Sequence, residues 1–208
     1  MGSHSPLAAS GRSVFLVARM VMVTLIPVGL DPVTAVAQPA NEFQFRVLAT
    51  SKTSTMEKEL NEGGDAGFRF QAVMGGDTAI GGNEVVAVMG RNGDATPRFS
   101  YKLLATSKTS TMEKELQEAA DAGFEYRGQT VFKSTFGGEE VVCILERDKD
   151  ASSRSFRYKL LATTKTSTLQ KELLDAGAAG YEILGMTVAK TAIGGKELVA
   201  ITRRTESR

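Results

Sequence analysis

Three hydroxyl-rich stretches carry the only recurring polar side chains whose spacing chemistry could use. Lys52-Thr53-Ser54-Thr55 is followed by Lys58, Lys108-Thr109-Ser110-Thr111 by Lys114, and Lys165-Thr166-Ser167-Thr168 by Lys171. On a helix, Thr55 and Lys58 stand on adjacent turns, as do Thr111 and Lys114, and Thr168 and Lys171. A desolvated lysine so placed takes the proton of a hydroxyl nucleophile, as in serine-lysine hydrolases. Here the hydroxyl is threonine, and Glu57, Glu59 and Glu62 give Lys58 a wet setting. Anion binding asks less. The free N–H groups of a helix N-terminus attract negative charge. Beside them would stand Lys52, Thr53 and Ser54, then Lys108, Thr109 and Ser110, then Lys165, Thr166 and Ser167. Three such sites on one chain could hold a carboxylated, phosphorylated or polyanionic ligand multivalently. A structural reading competes with both. Ser54-x-x-Glu57, Ser110-x-x-Glu113 and Ser167-x-x-Gln170 fit the capping box, in which each side chain satisfies the other residue's backbone N–H.

Absences narrow the function classes further. The only histidine is His4 and the only cysteine is Cys143. A chain that has lost His4 has no imidazole for a Ser-His-Asp or Cys-His system, and one cysteine makes neither an internal disulfide nor a Cys-rich metal site. Cys143 lies in the strand-like run VVCILE, where its counterparts are Ala87 and Ala200, so it reads as a small buried hydrophobe. No Asp-x-Asp spacing suggests calcium. The Gly-Gly pairs lack the Lys-Ser/Thr ending of a phosphate loop. Neither a catalytic residue, a metal nor a cofactor is expected.

The N-terminal segment has the form of a secretory signal: Arg12 and Arg19, the apolar stretch Val21–Leu30, and Ala35-Val36-Ala37 as an A-x-A site before Gln38. Cleavage after Ala37 is expected, because Val21–Leu30 is too short to span a bilayer. That loss removes Arg12, Arg19 and Asp31 and leaves equal numbers of basic and acidic residues. A neutral chain with interspersed charges has no broad pull toward nucleic acid or anionic lipid. The expected protein is therefore secreted or periplasmic, without stable membrane insertion, and its partner is an unidentified protein or small anion.

The elements that position the loops recur with them. LATSKTSTMEKEL at Leu48–Leu60 returns unchanged at Leu104–Leu116 and as LATTKTSTLQKEL at Leu161–Leu173. After a leader (1–37) and a short tail (38–42), three modules follow at 43–98, 99–155 and 156–208, the signature of tandem duplication. Each opens with a strand, Phe43–Thr50, Phe99–Thr106 or Phe156–Thr163. Phe43, Phe45 and Val47 alternate with polar residues there, so they are expected to face the module's core. Leu48, on the other parity, suggests a second apolar contact near the strand end. A helix follows, with Met56, Leu60 and Gly63/Gly64 on one face, then Met112, Leu116 and Ala119/Ala120, then Leu169, Leu173 and Ala176. Gly67, Gly123 and Gly180 are expected to end the helices. Two more strands begin at Phe68, Phe124 or Tyr181 and contain Glu84–Met89, Glu140–Leu145 or Glu197–Thr202, joined through Gly81-Gly82, Gly137-Gly138 or Gly194-Gly195 as a hairpin. The expected fold is α+β: three β-α-β-β modules, each an antiparallel sheet of strand order 1-3-2 with one helix on a face. They should pack together, preferably as a pseudo-threefold cluster and otherwise as a row with sheets joined edge to edge.

Gly180-Tyr181-Glu182-Ile183, and less closely Gly123-Phe124-Glu125-Tyr126 and Gly67-Phe68-Arg69-Phe70, resemble the Gly-Trp-Glu-Leu turn of a small bacterial domain-of-unknown-function family. The resemblance implies a fold and no activity. The β-α-β-β order is also similar to the flavin-storing dodecins, whose ring-stacking tryptophan this chain lacks. Together these readings point to a non-catalytic binding or assembly protein acting through its sheets or its K-T-S-T loops. Two alternatives stand beside it: a Thr/Lys hydrolase, and a secreted inhibitor or envelope stress protein that grips a partner.

Overall fold

The computed structural model describes residues 42–93, 95–133, 138–152, 154–190 and 195–206. The leader and its cleavage site lie outside the described residues. The first module comprises β1 (Phe43–Thr50), α1 (Thr53–Asp65), β2 (Arg69–Thr78) and β3 (Gly82–Asn92). The second comprises β4 (Phe99–Thr106), α2 (Thr109–Asp121), β5 (Glu125–Lys133) and β6 (Glu139–Asp148). The third comprises β7 (Phe156–Thr163), α3 (Thr166–Ala178), β8 (Glu182–Lys190) and β9 (Lys196–Thr205). Each forms its own antiparallel sheet, in the orders β1-β3-β2, β4-β6-β5 and β7-β9-β8, as expected from the β-α-β-β order.

Local chemistry accounts for most boundaries. Each helix ends in a Schellman motif: the Gly67 N–H donates to the Gly64 carbonyl and the Phe68 N–H to that of Gly63. Gly67, Gly123 and Gly180 have φ of +80°, +82° and +81°, the left-handed conformation that glycine adopts without cost. Phe68 serves this motif, so β2 begins one residue later than the pattern suggested. The hairpin also differs from expectation. Thr78 pairs with Gly82 across a three-residue connection, and Gly82 rather than the Gly81-Gly82 pair takes positive φ. The tips of the other two hairpins, 134–137 and 191–194, lie outside the described residues.

The sheet faces are reversed from the simplest reading of strand parity. Leu48 pairs with Ala87 and faces the module's own helix, as do Leu104 and Leu161, and all three are buried. Phe43, Phe45 and Val47 lie on the opposite face. In the second and third modules that face is covered by the module before it. Phe99, Tyr101, Val142 and Ile144 join the core built on α1, and Phe156, Tyr158, Val199 and Ile201 join the core built on α2. The layers therefore alternate sheet, helix, sheet, helix, sheet, helix. Contacts between modules join neighbours: α1 with β4, α2 with β7, β2 with β5, β5 with β8. The result is a row stacked face to face, neither the threefold cluster nor the edge-to-edge row, because the core of Met56 and Leu60 is completed only by Tyr101, Val142 and Ile144 of the next sheet.

Two devices fix each joint. The first is a clasp on the exposed edge of the incoming strand. Asn61 Nδ2 donates to the Tyr101 carbonyl at 2.9 Å, and Asn61 Oδ1 and Glu57 Oε2 accept the Tyr101 and Leu103 N–H groups at 2.9 and 2.8 Å. Gln117 and Glu113 do the same for Phe156, Tyr158 and Leu160 of β7. A strand edge that would otherwise offer unpaired backbone groups is thereby closed. The second device is a buried ion cluster. The Glu146 side chain is fully buried and takes Arg69 Nη2 at 2.9 Å and Arg127 Nη2 at 2.9 Å. Tyr101 Oη donates to Glu146 Oε2 at 3.1 Å and accepts the Phe70 N–H at 2.9 Å. Burial, then the Glu146 charge, pushes the Tyr101 phenol well above its ordinary pKa, so it remains a neutral donor.

The second joint reverses the charges. Glu125 stands where Arg69 does and Arg203 where Glu146 does, 3.7 Å apart, with Glu182 Oε1 2.8 Å from Arg203. The ring beneath the arginine is conserved between joints: Arg69 lies 4.6 Å from the Phe99 centroid and Arg203 4.3 Å from that of Phe156. Replacing Arg69 by Glu should cost about 3 kcal/mol, since it sets like charge against a buried carboxylate. The triple change Arg69→Glu, Arg127→Leu, Glu146→Arg copies the second joint, and in urea melts it should regain more than half of that loss. Equal instability of the single and triple variants would show that the charges do not act as a pair.

Candidate functional site

The K-T-S-T stretches sit at helix starts, as their sequence suggests, but the capping box does not form. Lys52, Lys108 and Lys165 are the N-cap residues, in extended conformation and without a side-chain cap. Their own N–H groups donate back to Thr50, Thr106 and Thr163 Oγ1 at 3.1, 3.1 and 3.3 Å. Ser54, Ser110 and Ser167 lie one residue inside the helix and are exposed. Glu57 and Glu113, the intended reciprocal partners, are committed to the next module's strand edge instead. The spacing matched the box because the same acid serves the clasp.

As candidates for chemistry the loops offer little preorganisation. Lys58 and Lys114 stand in water and pair one turn along with Glu62 and Glu118, each at 3.7 Å. That setting supplies none of the desolvation a lysine base requires. Beside the first loop is an open groove of about 440 Å³ lined by Thr53, Ser54, Glu57, Lys102 and Glu115. Beside the second is one of about 480 Å³ lined by Thr109, Ser110, Glu113, Lys159, Glu172 and Asp175. Carboxylates outnumber ammonium groups in both, which opposes an anion. Lys108 and Thr109 also border a crevice of about 10 Å³ with Lys190 and Glu139, room for roughly one water. Among the described residues no further module packs on α3 to form such a groove beside the third loop, with Lys165, Thr166 and Ser167. The three copies are therefore not equivalent sites. Cys143 is fully buried, and burial pushes its thiol well above the ordinary range, the setting of an inert packing residue. Among the described residues no cluster of three metal-ligating side chains occurs, and no helix is long and apolar enough to cross a membrane.

The surface that stands out lies at the two ends of the row. Among the described residues, nine large hydrophobics are exposed, and eight of them fall on two faces. The first is the bare side of the β1-β3-β2 sheet: Phe43, Phe45 at 66 % exposure, Val47 and Met74, backed by half-buried Val86 and Val88. Among the described residues only Glu42 precedes β1. The second is the outer side of the last layer: Leu174 at 64 %, Ile183, Met186 and Val188. Each large side chain left in water forgoes about 1.5–3 kcal/mol of burial. Sequence reading missed both faces because the same positions are core in the other modules. The signal was present in the divergence of near-identical copies, with Leu174 standing where Asn61 and Gln117 stand. No family model matches the chain, and neither a curated protein nor a solved structure is significantly similar to it.

Changing Ser54, Ser110 and Ser167 together to Ala should alter stability by no more than about 0.5 kcal/mol in urea melts. Changing Thr50, Thr106 and Thr163 to Val should cost about 2 kcal/mol in sum, since three helix-start N–H groups lose their acceptor. A loss of about 3 kcal/mol in the serine variant would restore the capping box.

Proposed function

We propose that this chain is an extracytoplasmic, non-catalytic assembly protein that binds other protein through the apolar faces at the ends of its row of modules. The supporting observation is that eight of the nine large hydrophobics exposed among the described residues lie on those two faces. Stacked-repeat proteins ordinarily close their row with terminal modules whose outer face is polar, which keeps them soluble. Here each terminal face exposes four large apolar side chains, and contiguous patches of that kind mark protein interaction sites. The K-T-S-T loops then serve as helix starts and clasp supports, not as the primary binding surface. The extracytoplasmic setting rests on the Arg12 and Arg19 charges, the Val21–Leu30 stretch and the Ala35-Val36-Ala37 site. The resemblance of the Gly180–Ile183 turn to a bacterial family fits this reading without adding an activity.

A photo-crosslinking residue placed at Phe45 or at Met186, in cells that produce the protein, should give protein adducts. The same residue at Ser54 or Ser110 should give none. Adducts confined to the loop positions would return the function to the K-T-S-T stretches. The mass of the chain recovered from the extracytoplasmic fraction should correspond to a start at Gln38, and a chain retained at full length in the cytoplasm would remove the localisation.

A further inference from the structure

The two bare faces are the two halves of a joint that the chain already makes twice within itself. The outer side of α1 and β2 receives the β4-β6-β5 sheet, and the outer side of α2 and β5 receives the β7-β9-β8 sheet. Position by position, the outer side of α3 and β8 is the donor half of that joint, and the bare side of the β1-β3-β2 sheet is its acceptor half. We propose that the partner at both ends is a second copy of this chain, docked head to tail, with α3 and β8 of one copy on the first sheet of the next. The proposal rests on the assembly reading above and names its partner.

Two sets of facing positions support a second copy over any other occupant, because both members of each change together, and a third is compatible with it. At the clasp, polar residues on the helix meet a tyrosine on the strand: Asn61 bonds the Tyr101 backbone and Gln117 that of Tyr158. At the open ends Leu174 replaces the amide and Phe45 the tyrosine, which sets two apolar side chains against each other while the Phe45 N–H and carbonyl forgo the bonds that Asn61 gives Tyr101. At the close approach of β2 to β5, the Phe70 ring lies 3.2 Å from where a Cβ of Gly128 would stand, and Tyr126 sits equally against Gly185. At the open ends the large ring has become Ile183 and the glycine has become Ala72, a smaller knob against a fuller surface. At the ion pair, Arg69 meets Glu146 and Glu125 meets Arg203. At the open ends Glu182 is already held by Arg203 of its own module at 2.8 Å, and the facing position is uncharged Gly90. No charge would be buried alone.

One part of the strand-edge requirement is also met. Phe45 and Val47 of β1 present the strand edge that Asn61 and Glu57 close in the next module, and Gln170 stands on α3 where Glu57 stands on α1. Its side-chain oxygen can accept the Val47 N–H as Glu57 accepts that of Leu103. Such a contact is heterologous: the donor and acceptor surfaces differ, so it propagates into a filament or closes into a ring. A second copy covers both faces with one interface.

The test uses the full chain in two single variants, Phe45→Cys and Leu174→Cys, oxidised separately and as a mixture. Cys143 is fully buried and does not compete. The mixture should yield a disulfide joining positions 45 and 174, while each variant alone should yield little. In sedimentation velocity the unmodified chain should associate with rising concentration. Phe45→Glu and Met186→Asp should each weaken that association about tenfold or more, as loss of an interface anchor does. Both positions are exposed, so far-ultraviolet circular dichroism should be unchanged. Predominant linkage of position 45 to itself would mean a symmetric dimer and overturn the proposal. A chain that stays monomeric at about 100 μM, where even a 10 μM interface is populated, would also overturn it. So would a position 45 shielded from thiol reagents in the monomer, which would place the chain's own leading segment on that sheet. Photo-adducts with a different protein, in the absence of self-association, would remove the second copy and leave the assembly reading standing.

Discussion

A three-stranded sheet with a single helix has two faces and only one cover. Every other feature of this molecule follows from how the second face is kept from water. The central strands β6 and β9 are apolar on both sides, with Val141, Cys143 and Leu145 toward their own helix and Val142 and Ile144 toward the previous module. Such a strand is stable only when buried between layers. The helix meets the same constraint from the other side. Met56 and Leu60 pack into the core, while Glu57 and Asn61 reach to β4, so α1 is finished only when the next sheet arrives. A module of this size buries too little surface to be robust alone, and the stack supplies what each unit lacks.

Near-identical modules bring a hazard of their own, since any donor face could in principle receive any acceptor face. Wrong docking of similar repeats is a known failure of such chains. The charges at the joints answer it. Arg69 suits Glu146 and repels Arg203, while Glu125 suits Arg203 and repels Glu146. Because Glu146 is fully buried, a mispaired joint would take away one of its two arginines, leaving Arg127 alone beside it, or set Glu125 against its charge, at a cost of several kcal/mol. The ion pairs thus contribute more to the order of the modules than to their net stability, since a well-packed apolar substitute stabilises as much. The tyrosine hydroxyl adds direction: it links the Phe70 N–H of one module to the Glu146 carboxylate of the next and fits only when all three meet.

The sequence made the elements legible and hid their partners. First strands, helices and the terminating glycines follow from period-two alternation, the Met56-Leu60 stripe and the left-handed requirement at Gly67, all of which are local. The orientation of β1 was not local. Phe45 and Leu48 are both apolar at opposite parity, and only the position of α1 decides which one is inside. Glu57 illustrates a sharper limit. Its spacing from Ser54 satisfies a rule for helix starts, yet its carboxylate binds Leu103 N–H, forty-six residues away. A pattern rule sees an acid at the right distance and has no means of weighing a distant backbone amide. Gly128 and Gly185 were legible only in comparison, as glycines that appear where a preceding aromatic lands and give way to Ala72 where none does.

That comparison also bears on why the ends are apolar. A terminal face that merely lost its neighbour would be expected to gain polar residues, since nothing selects for hydrophobicity at a surface in contact with water. The substitutions run the other way. On the donor side Leu174 stands for Asn61 and Gln117, and Met186 for Val73 and Gln129. On the acceptor side Phe45 stands for two tyrosines, Met74 for Thr130 and Thr187, and Gly90 for Glu146 and Arg203. Each end has shed hydrogen-bonding groups that the internal joints use, although Glu182 keeps the acid of Glu125 and Ile183 is smaller than Phe70 and Tyr126. Had the copies diverged freely, polarity at one end would carry no information about the other. The paired change of Ile183 for Phe70 and Tyr126, with Ala72 for Gly128 and Gly185, is what a shared interface imposes, because a knob and the surface that receives it must change size together.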